Sequence, residues 1–436
     1  MTAPTEARRE KPAPPPARPR AVVLAATAVC GLVTVAMVGK FLHHDYKDAE
    51  VWYDVGRRVL EGRSLLRLQH YRYPPTFAVL VAPLCLLPWP AFFFTWYALN
   101  VALFVQGVRF TTRLVASADP RVLWLPALLV LLYAVDNLFL GQTNLLMTAL
   151  LYWTMVELAR GREWAAGVPL GASIAMKVFT FPWVAYLAYR GRWRALTSTL
   201  AVCAFCLLVL PAPVRGFGRN LFEVKDWGKR VVAPYLDRGE AGDWGQHALD
   251  FGNQSLQAVL HRLLTRTDAS VAARHTGAIY VNVATLTESQ VNRVLVAAMA
   301  ALVAVFTGAC GWRRPRDRRQ QAVEFGMSVI VLMLISALAW TYFFVMLLLP
   351  IAVAVALVGA RHAVPLYAST RRALIWALWV QGLAVLSLGS AHARAVGSLC
   401  WAAVLLYAAL ALACREMRRA ASPVAPPERP ESAAGR

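Results

Sequence analysis

The side chains best suited to chemistry lie near the N-terminus, in His43-His44-Asp45-Tyr46-Lys47-Asp48-Ala49-Glu50-Val51-Trp52-Tyr53-Asp54-Val55-Gly56-Arg57-Arg58-Val59-Leu60-Glu61-Gly62. From Asp48 onward the apolar residues Trp52, Val55 and Val59 recur at helical spacing and define one face. Counting back from Trp52 by four residues and then three brings Asp48 and Asp45 onto that face, whereas Glu50, Asp54, Arg57, Arg58 and Glu61 fall on the other side. Partial burial would raise the pKa of such an inward carboxylate toward that of a useful general base. The plainer reading of Asp48 is a first-turn acid stabilised by the helix dipole. His43, His44, Asp45 and Asp48 carry metal-ligand atoms, but their spacing matches no specific ligand motif, so no metal is assigned and a divalent ion stays open.

Four further clusters carry polar groups in apolar surroundings. Tyr71-Arg72-Tyr73-Pro74-Pro75 closes the first loop, with paired prolines launching the next helix at its first turn; its aromatics serve either an interface belt or a ligand. Asp136-Asn137, Gly141-Gln142-Thr143-Asn144 and Lys177 sit within hydrophobic blocks, where polar residues are functional candidates. Two roles stand for Lys177, an ion pair with Asp136 or a phosphate contact. Gly252-Asn253-Gln254-Ser255-Leu256 precedes a helix with apolar Leu256, Val259, Leu260, Leu263 and Leu264, which Asn253 or Ser255 would cap. Trp340 and Tyr342 lie where two apolar blocks meet.

The elements that must position these groups are membrane helices. Of 436 residues 58% are hydrophobic and 16% charged, and the mean hydropathy is +0.49, too apolar for a soluble domain. The apolar blocks predict an all-α polytopic protein with about twelve spans, near 21–42, 76–88, 91–110, 122–136, 143–159, 163–188, 194–213, 292–311, 322–338, 341–358, 373–390 and 395–414. The helices flanking Gly141 read as half-helices. Residues 1–20 and 415–436 read as polar cytoplasmic tails flanking a membrane domain over 21–414, in a multi-pass cell (inner) membrane protein.

The formal net charge of +21 raises nucleic acid as a partner. Its placement argues otherwise, because the clusters at Arg190/Arg192/Arg194, Arg313–Arg319, Arg361/Arg371/Arg372 and Arg415/Arg418/Arg419 each abut a hydrophobic block, the positive-inside pattern. Alternation then places the long loops 43–75 and 214–291 outside, both termini inside, and Asp136 and Lys177 in the cytoplasmic half. Arg160 and Arg162 fall outside under this count, against the rule. Cys203 and Cys206 form a CxxC inside an apolar helix without His or a second pair, which reads as packing rather than a metal site.

In order and spacing these pieces resemble glycosyltransferase family 87, integral membrane mannosyltransferases of the C-type superfamily. The resemblance spans roughly 40–360 and rests on the Asp-led loop ending Tyr-x-Tyr-Pro-Pro, on Gly141-Gln142-Thr143-Asn144, on Met176-Lys177-Val178-Phe179 with Arg190-Gly191-Arg192-Trp193-Arg194, and on Gly252-Asn253-Gln254-Ser255-Leu256. It implies sugar transfer, with inversion, from a polyprenyl-phosphate-sugar donor to a glycan or glycolipid acceptor at the extracytoplasmic face, with membrane lipids as surroundings and no cofactor. Such chemistry needs a base and a way to hold phosphate. Asp48 is the expected base and Asp45 the second choice; Arg57, Arg58, Arg72 and Lys177 are the expected phosphate contacts. Tyr73, Gln142, Asn144, Asn253, Gln254, Trp340 and Tyr342 are the expected substrate contacts. One departure stands out: family members often carry Ser-Pro-x-x-Trp followed by His, whereas Ser336-Ala337-Leu338-Ala339-Trp340-Thr341-Tyr342 lacks both proline and histidine. The rival class is a transporter or flippase with Asp136, Gln142, Asn144 and Lys177 along its path, for which an internal repeat is expected and none is evident.

Overall fold

A bilayer leaves each backbone amide to find its partner within its own segment, and this chain meets that demand with helices. The computed structural model describes residues 20–43, 48–66, 68, 71–117, 119–234, 247–271, 277–360, 364 and 366–420. Among these there is no strand, only an isolated antiparallel bridge between Asn253 and Trp340. Two units separate, 1–45 and 46–436. The first contributes the helix Arg20–Leu42; the second holds the other described elements.

Among the described residues six helices can cross a membrane by length and composition: Trp89–Val115, Trp193–Arg215, Glu288–Cys310, Thr341–Gly359, Ala368–Gly389 and Ser398–Ala420. Arg121–Leu129 and Leu131–Leu140 make a seventh when taken together across a 50° bend. Pro126, which removes one bond of the helical ladder, lies just before that bend. Thr341–Gly359 is the central helix, apolar all round and mostly buried, whereas Glu288–Cys310 and Ala368–Gly389 leave most of their surface uncovered.

Contacts between helix ends sort the second unit into two ends. At one, the helix Asp48–Leu60 lies against Pro75–Val81 and the turn Ala82–Leu86, and Tyr53 packs on Trp89. At the other, Arg190 and Glu324 form an ion pair at 2.5 Å, both side chains 1% exposed, and Arg190 also donates to the carbonyls of Gly311 and Arg313. Arg192 reaches Glu163 there at 2.9 Å, and Thr370 meets Glu416.

This arrangement corrects two expected spans. The segment 76–88 does not cross: it begins beside Tyr73 and returns to the same end, where Tyr53 donates to the carbonyl of Leu87 and Gly56 faces Cys85 without a Cβ to obstruct it. Nor is 163–188 a single crossing. The helix Glu163–Met176 runs back alongside Asn144–Ala159, stops at Lys177, whose backbone is extended, and Val178–Tyr189 returns to Arg190. Glu163 and Arg192 therefore meet at one end with Lys177 at the other. Lys177 lies at the Asp48 end, not in the opposite half as alternation had it, and Arg160 and Arg162 join the basic end, which removes the conflict with the charge rule.

The two long loops are joined rather than separate. A buried ion pair links Arg215 to Glu223; Arg215 also donates to the carbonyl of Arg63, and Glu223 accepts from the amide of Leu65. Trp227 donates its indole N–H to the carbonyl of Arg72 at 2.9 Å. The helix Phe217–Trp227 thereby holds the end of the first loop.

Candidate active site

The expected helix is present as Asp48–Leu60, and its expected apolar face is buried, with Trp52, Val55 and Val59 at 3% exposure or less. What seats it is Gly141. The carbonyl of Gly141 accepts indole N–H groups from Trp52 at 2.7 Å and from Trp96 at 2.9 Å. Gly141 itself adopts φ +71, closing Leu131–Leu140, and a Cβ there would stand 2.8 Å from that of Ala49. Glycine is needed at this point for both conformation and approach. The helices flanking Gly141 are not two halves of one span: Gly141 makes a tight turn between Leu131–Leu140, the second part of a bent span, and Asn144–Ala159, which starts back from the Asp48 end.

That turn delivers Gln142 to Asp48. The Gln142 amide donates to Asp48 Oδ2 at 2.5 Å, while its Oε1 lies 3.5 Å from the Tyr73 hydroxyl, which also bonds Thr143 Oγ1 at 2.9 Å. Burial pushes the Tyr73 phenol well above its ordinary pKa, aided by the nearby negative charge of Asp48, so it acts as a neutral hydrogen-bonding group. Asn137 fixes the turn from inside, donating to the Gln142 carbonyl and accepting from the Asn144 amide.

Lys177 completes the cluster. Its Nζ donates to Asn144 Oδ1 at 2.8 Å and lies over the rings of Phe343 (4.6 Å) and Tyr73 (5.4 Å), within the electrostatic reach of Asp48. The Asn144 Nδ2 group is buried with no hydrogen-bond partner among the described residues. A carboxylate, a cation and an unsatisfied donor thus converge, lined by the aromatic rings of Trp52, Tyr73 and Phe343. Tyr342 lies within electrostatic reach of Tyr73, Asp48 and Asp136.

Other expected residues are placed differently. Arg57 pairs with Glu61 at 3.1 Å and Arg58 with Asp54 at 2.9 Å, each one helical turn away on the outward side of the helix. Arg72 is half-buried beside Tyr73, its carbonyl holding Trp227. Asn253 and Gln254 are fully buried and bond mostly to backbone: Asn253 to the carbonyls of Ala248 and Ala337 and the amide of Ala339, Gln254 to the carbonyls of Phe251 and Arg394 and the amide of Leu399. They position Trp340, whose ring packs against Gly252. Ser255, not Asn253, supplies the N-cap of Leu256–Leu264. Asp45 lies outside the described residues, as does His44. Among the described residues no three His, Cys, Asp or Glu side chains gather as metal ligands.

Arg394 is a cation at this end that the sequence reading missed. It stacks over Phe251 at 4.4 Å, in the field of Asp250 and Asp136, and its buried Nε has no hydrogen-bond partner among the described residues. Burial lowers its pKa against the pull of those two acids. The available signal was one arginine in Ser390-Ala391-His392-Ala393-Arg394, the polar stretch between the last two apolar blocks.

Fold and site together define a polytopic helical membrane protein with a carboxylate and a lysine brought together at one end of its bundle. The description of glycosyltransferase family 87 matches residues 71–340, and the chain belongs to that family. A polyprenol-phosphate-mannose-dependent alpha-(1-2)-phosphatidylinositol pentamannoside mannosyltransferase of Mycobacterium tuberculosis (strain CDC 1551 / Oshkosh) is 27% identical over 200 residues, which cover 44% of this chain and 42% of that relative. The match therefore spans less than half the length of the relative. No solved structure matches the chain. The family match begins after the helix Asp48–Leu60, so the assignment of Asp48 to the site rests on its contact with Gln142, inside the match.

Proposed function

We propose that the protein transfers a sugar, mannose by similarity to its relative, from a polyprenyl-phosphate donor to an acceptor hydroxyl on a glycan or glycolipid. The observation that carries this reading is the convergence of Asp48, Gln142, Asn144 and Lys177 within one hydrogen-bonded turn. Asp48 takes the proton of the acceptor hydroxyl as its oxygen attacks the anomeric carbon. The bond from that carbon to the phosphate oxygen breaks on the opposite side, inverting the centre, and polyprenyl phosphate leaves with the bonding pair. Lys177 stabilises the charge that develops on the phosphate, in a water-poor setting where one cation counts for more than it does in bulk water. Gln142 orients the carboxylate, the Asn144 amide donates to substrate, and Tyr73, Trp340 and Tyr342 form walls. Arg72 and Arg394 are further cations at this end; Asp45 remains the second candidate base. The lipid-linked donor is the substrate and no cofactor is assigned.

In this reading the site faces the extracytoplasmic side and the arginine-rich end the cytoplasm, following the positive-inside rule. Twelve crossings are retained, with Arg20–Leu42 as the first and 163–189 contributing two in place of one, while 76–88 contributes none; both termini are cytoplasmic in the inner membrane. The experiment is an assay of membranes carrying Asp48→Asn for transfer from polyprenyl-phosphate-mannose to endogenous glycolipid. A fall in kcat of about 10²–10⁴, the usual contribution of a positioned base, is expected. Undiminished transfer by a folded variant would remove Asp48 from the role.

A further inference from the structure

At the end of the bundle opposite Asp48 lies a second concave site. A cavity of about 180 Å³ opens between three helix ends: the last turn of Trp89–Val115, the end of Asn144–Ala159 and the first turns of Arg318–Ile335. The helix Asn144–Ala159 separates it from the active-site turn by about 24 Å, at 1.5 Å per residue. Its floor is apolar, made by Leu114, Val156, Ala322 and Phe325, all buried. Its rim carries Arg113, Arg160 and Arg318, all exposed, together with Gln321.

The charges at this rim are unevenly matched. Arg160 pairs with Glu157 at 3.0 Å, and Arg162 stands 3.8 Å from the same carboxylate. Arg113 stands over the ring of Phe110 at 5.9 Å, and neither Arg113 nor Arg318 has an ion pair among the described residues. Asp317, the acid next in sequence, caps its own helix through the amide of Gln320. A cleft with an apolar floor and a cationic rim, at the end of apolar helices, matches the headgroup region of an anionic lipid: guanidinium groups pair with phosphate, and the floor takes the glycerol and first methylenes. A soluble phosphate would gain from the rim but nothing from the floor.

We propose that this cleft binds the headgroup of an anionic phospholipid, independently of sugar transfer. The test uses the purified full-length chain in detergent micelles, titrated with dioctanoyl-phosphatidylglycerol or dioctanoyl-phosphatidylcholine and read by native mass spectrometry. The phosphatidylglycerol adduct is expected at a concentration at least tenfold lower than the phosphatidylcholine adduct, and an Arg113→Gln/Arg318→Gln double variant is expected to lose that preference. Ala159→Phe, which keeps every arginine but narrows the cleft, is expected to lose it as well. Because Ala159 lies at the cleft and is only half-buried, that variant carries the test should the double variant fail to fold. Unchanged preference in the folded variants would overturn the proposal, and so would displacement of phosphatidylglycerol by equimolar inorganic phosphate, which would mark a site for soluble anions.

Discussion

Gln142 and Asp48, 94 positions apart in sequence, meet through a 2.5 Å hydrogen bond from the side-chain amide to the carboxylate. The bond ties the start of an amphipathic helix outside the spans to a turn between two apolar helices. It makes the orientation of Asp48 depend on the membrane domain rather than on its own helix alone.

Replacing that donor with an acid should alter the proton chemistry of Asp48. Gln142→Glu puts a second carboxylate beside the first, and like charges disfavour the ionised form, so the pKa of the pair rises. A base must be ionised to work, hence the acidic limb of the rate profile is expected to move to higher pH. A kcat/KM profile from pH 4 to 9 for wild type and variant reads this directly; an unmoved limb would separate Gln142 from the base.

Lys177 is expected to act on the reacting phosphate rather than on folding. Lys177→Met should lower kcat by about 10²–10³, the range found when one pre-organised charge-stabilising donor is removed. Lys177→Arg keeps the charge but not its compact shape, and should restore part of the rate. Equal thermal midpoints for wild type and Lys177→Met would accompany this result, and a purely structural lysine would show the reverse pattern.

Gly141→Ala tests the seat of the Asp48 helix. An L-residue in the left-handed region costs about 1–2 kcal/mol, and its methyl would also press on Ala49. Reduced transfer with a lowered unfolding midpoint is expected.

The joint between the two loops should be sensitive to removal of one partner. Arg215→Ala leaves Glu223 buried without its closest cation, and breaking a buried pair in this way costs about 3–5 kcal/mol. Protease nicking within 62–72 or 217–227 is expected to accelerate in the variant, because Arg215 bonds to Arg63 and Glu223 to Leu65. Glu223→Gln retains hydrogen-bonding atoms and should be milder.

Much of this protein was legible in the sequence because the deciding physics is local. Apolar composition and block length announce a membrane protein; helical spacing alone orients Trp52, Val55 and Val59 inward, with Asp48 one turn before them. A cap at Asn253 or Ser255 and an interruption of the apolar helices around Gly141 follow from side-chain and backbone preferences of a few residues; that Ser255 caps and Gly141 turns the chain was decided by the fold. The tertiary structure decided what depends on chain direction. One extended residue, Lys177, turns an apolar block that reads as a single span into a hairpin, and hydropathy summed over that block is blind to the reversal. Lysine within the block and Pro182 shortly after it were the available signals. The same blindness hid Arg394 and the Arg215–Glu223 joint, whose partners come together only when distant segments pack. Asp48 could be chosen from sequence as an inward acid; that Gln142 holds it and Lys177 stands beside it is a property of the folded bundle.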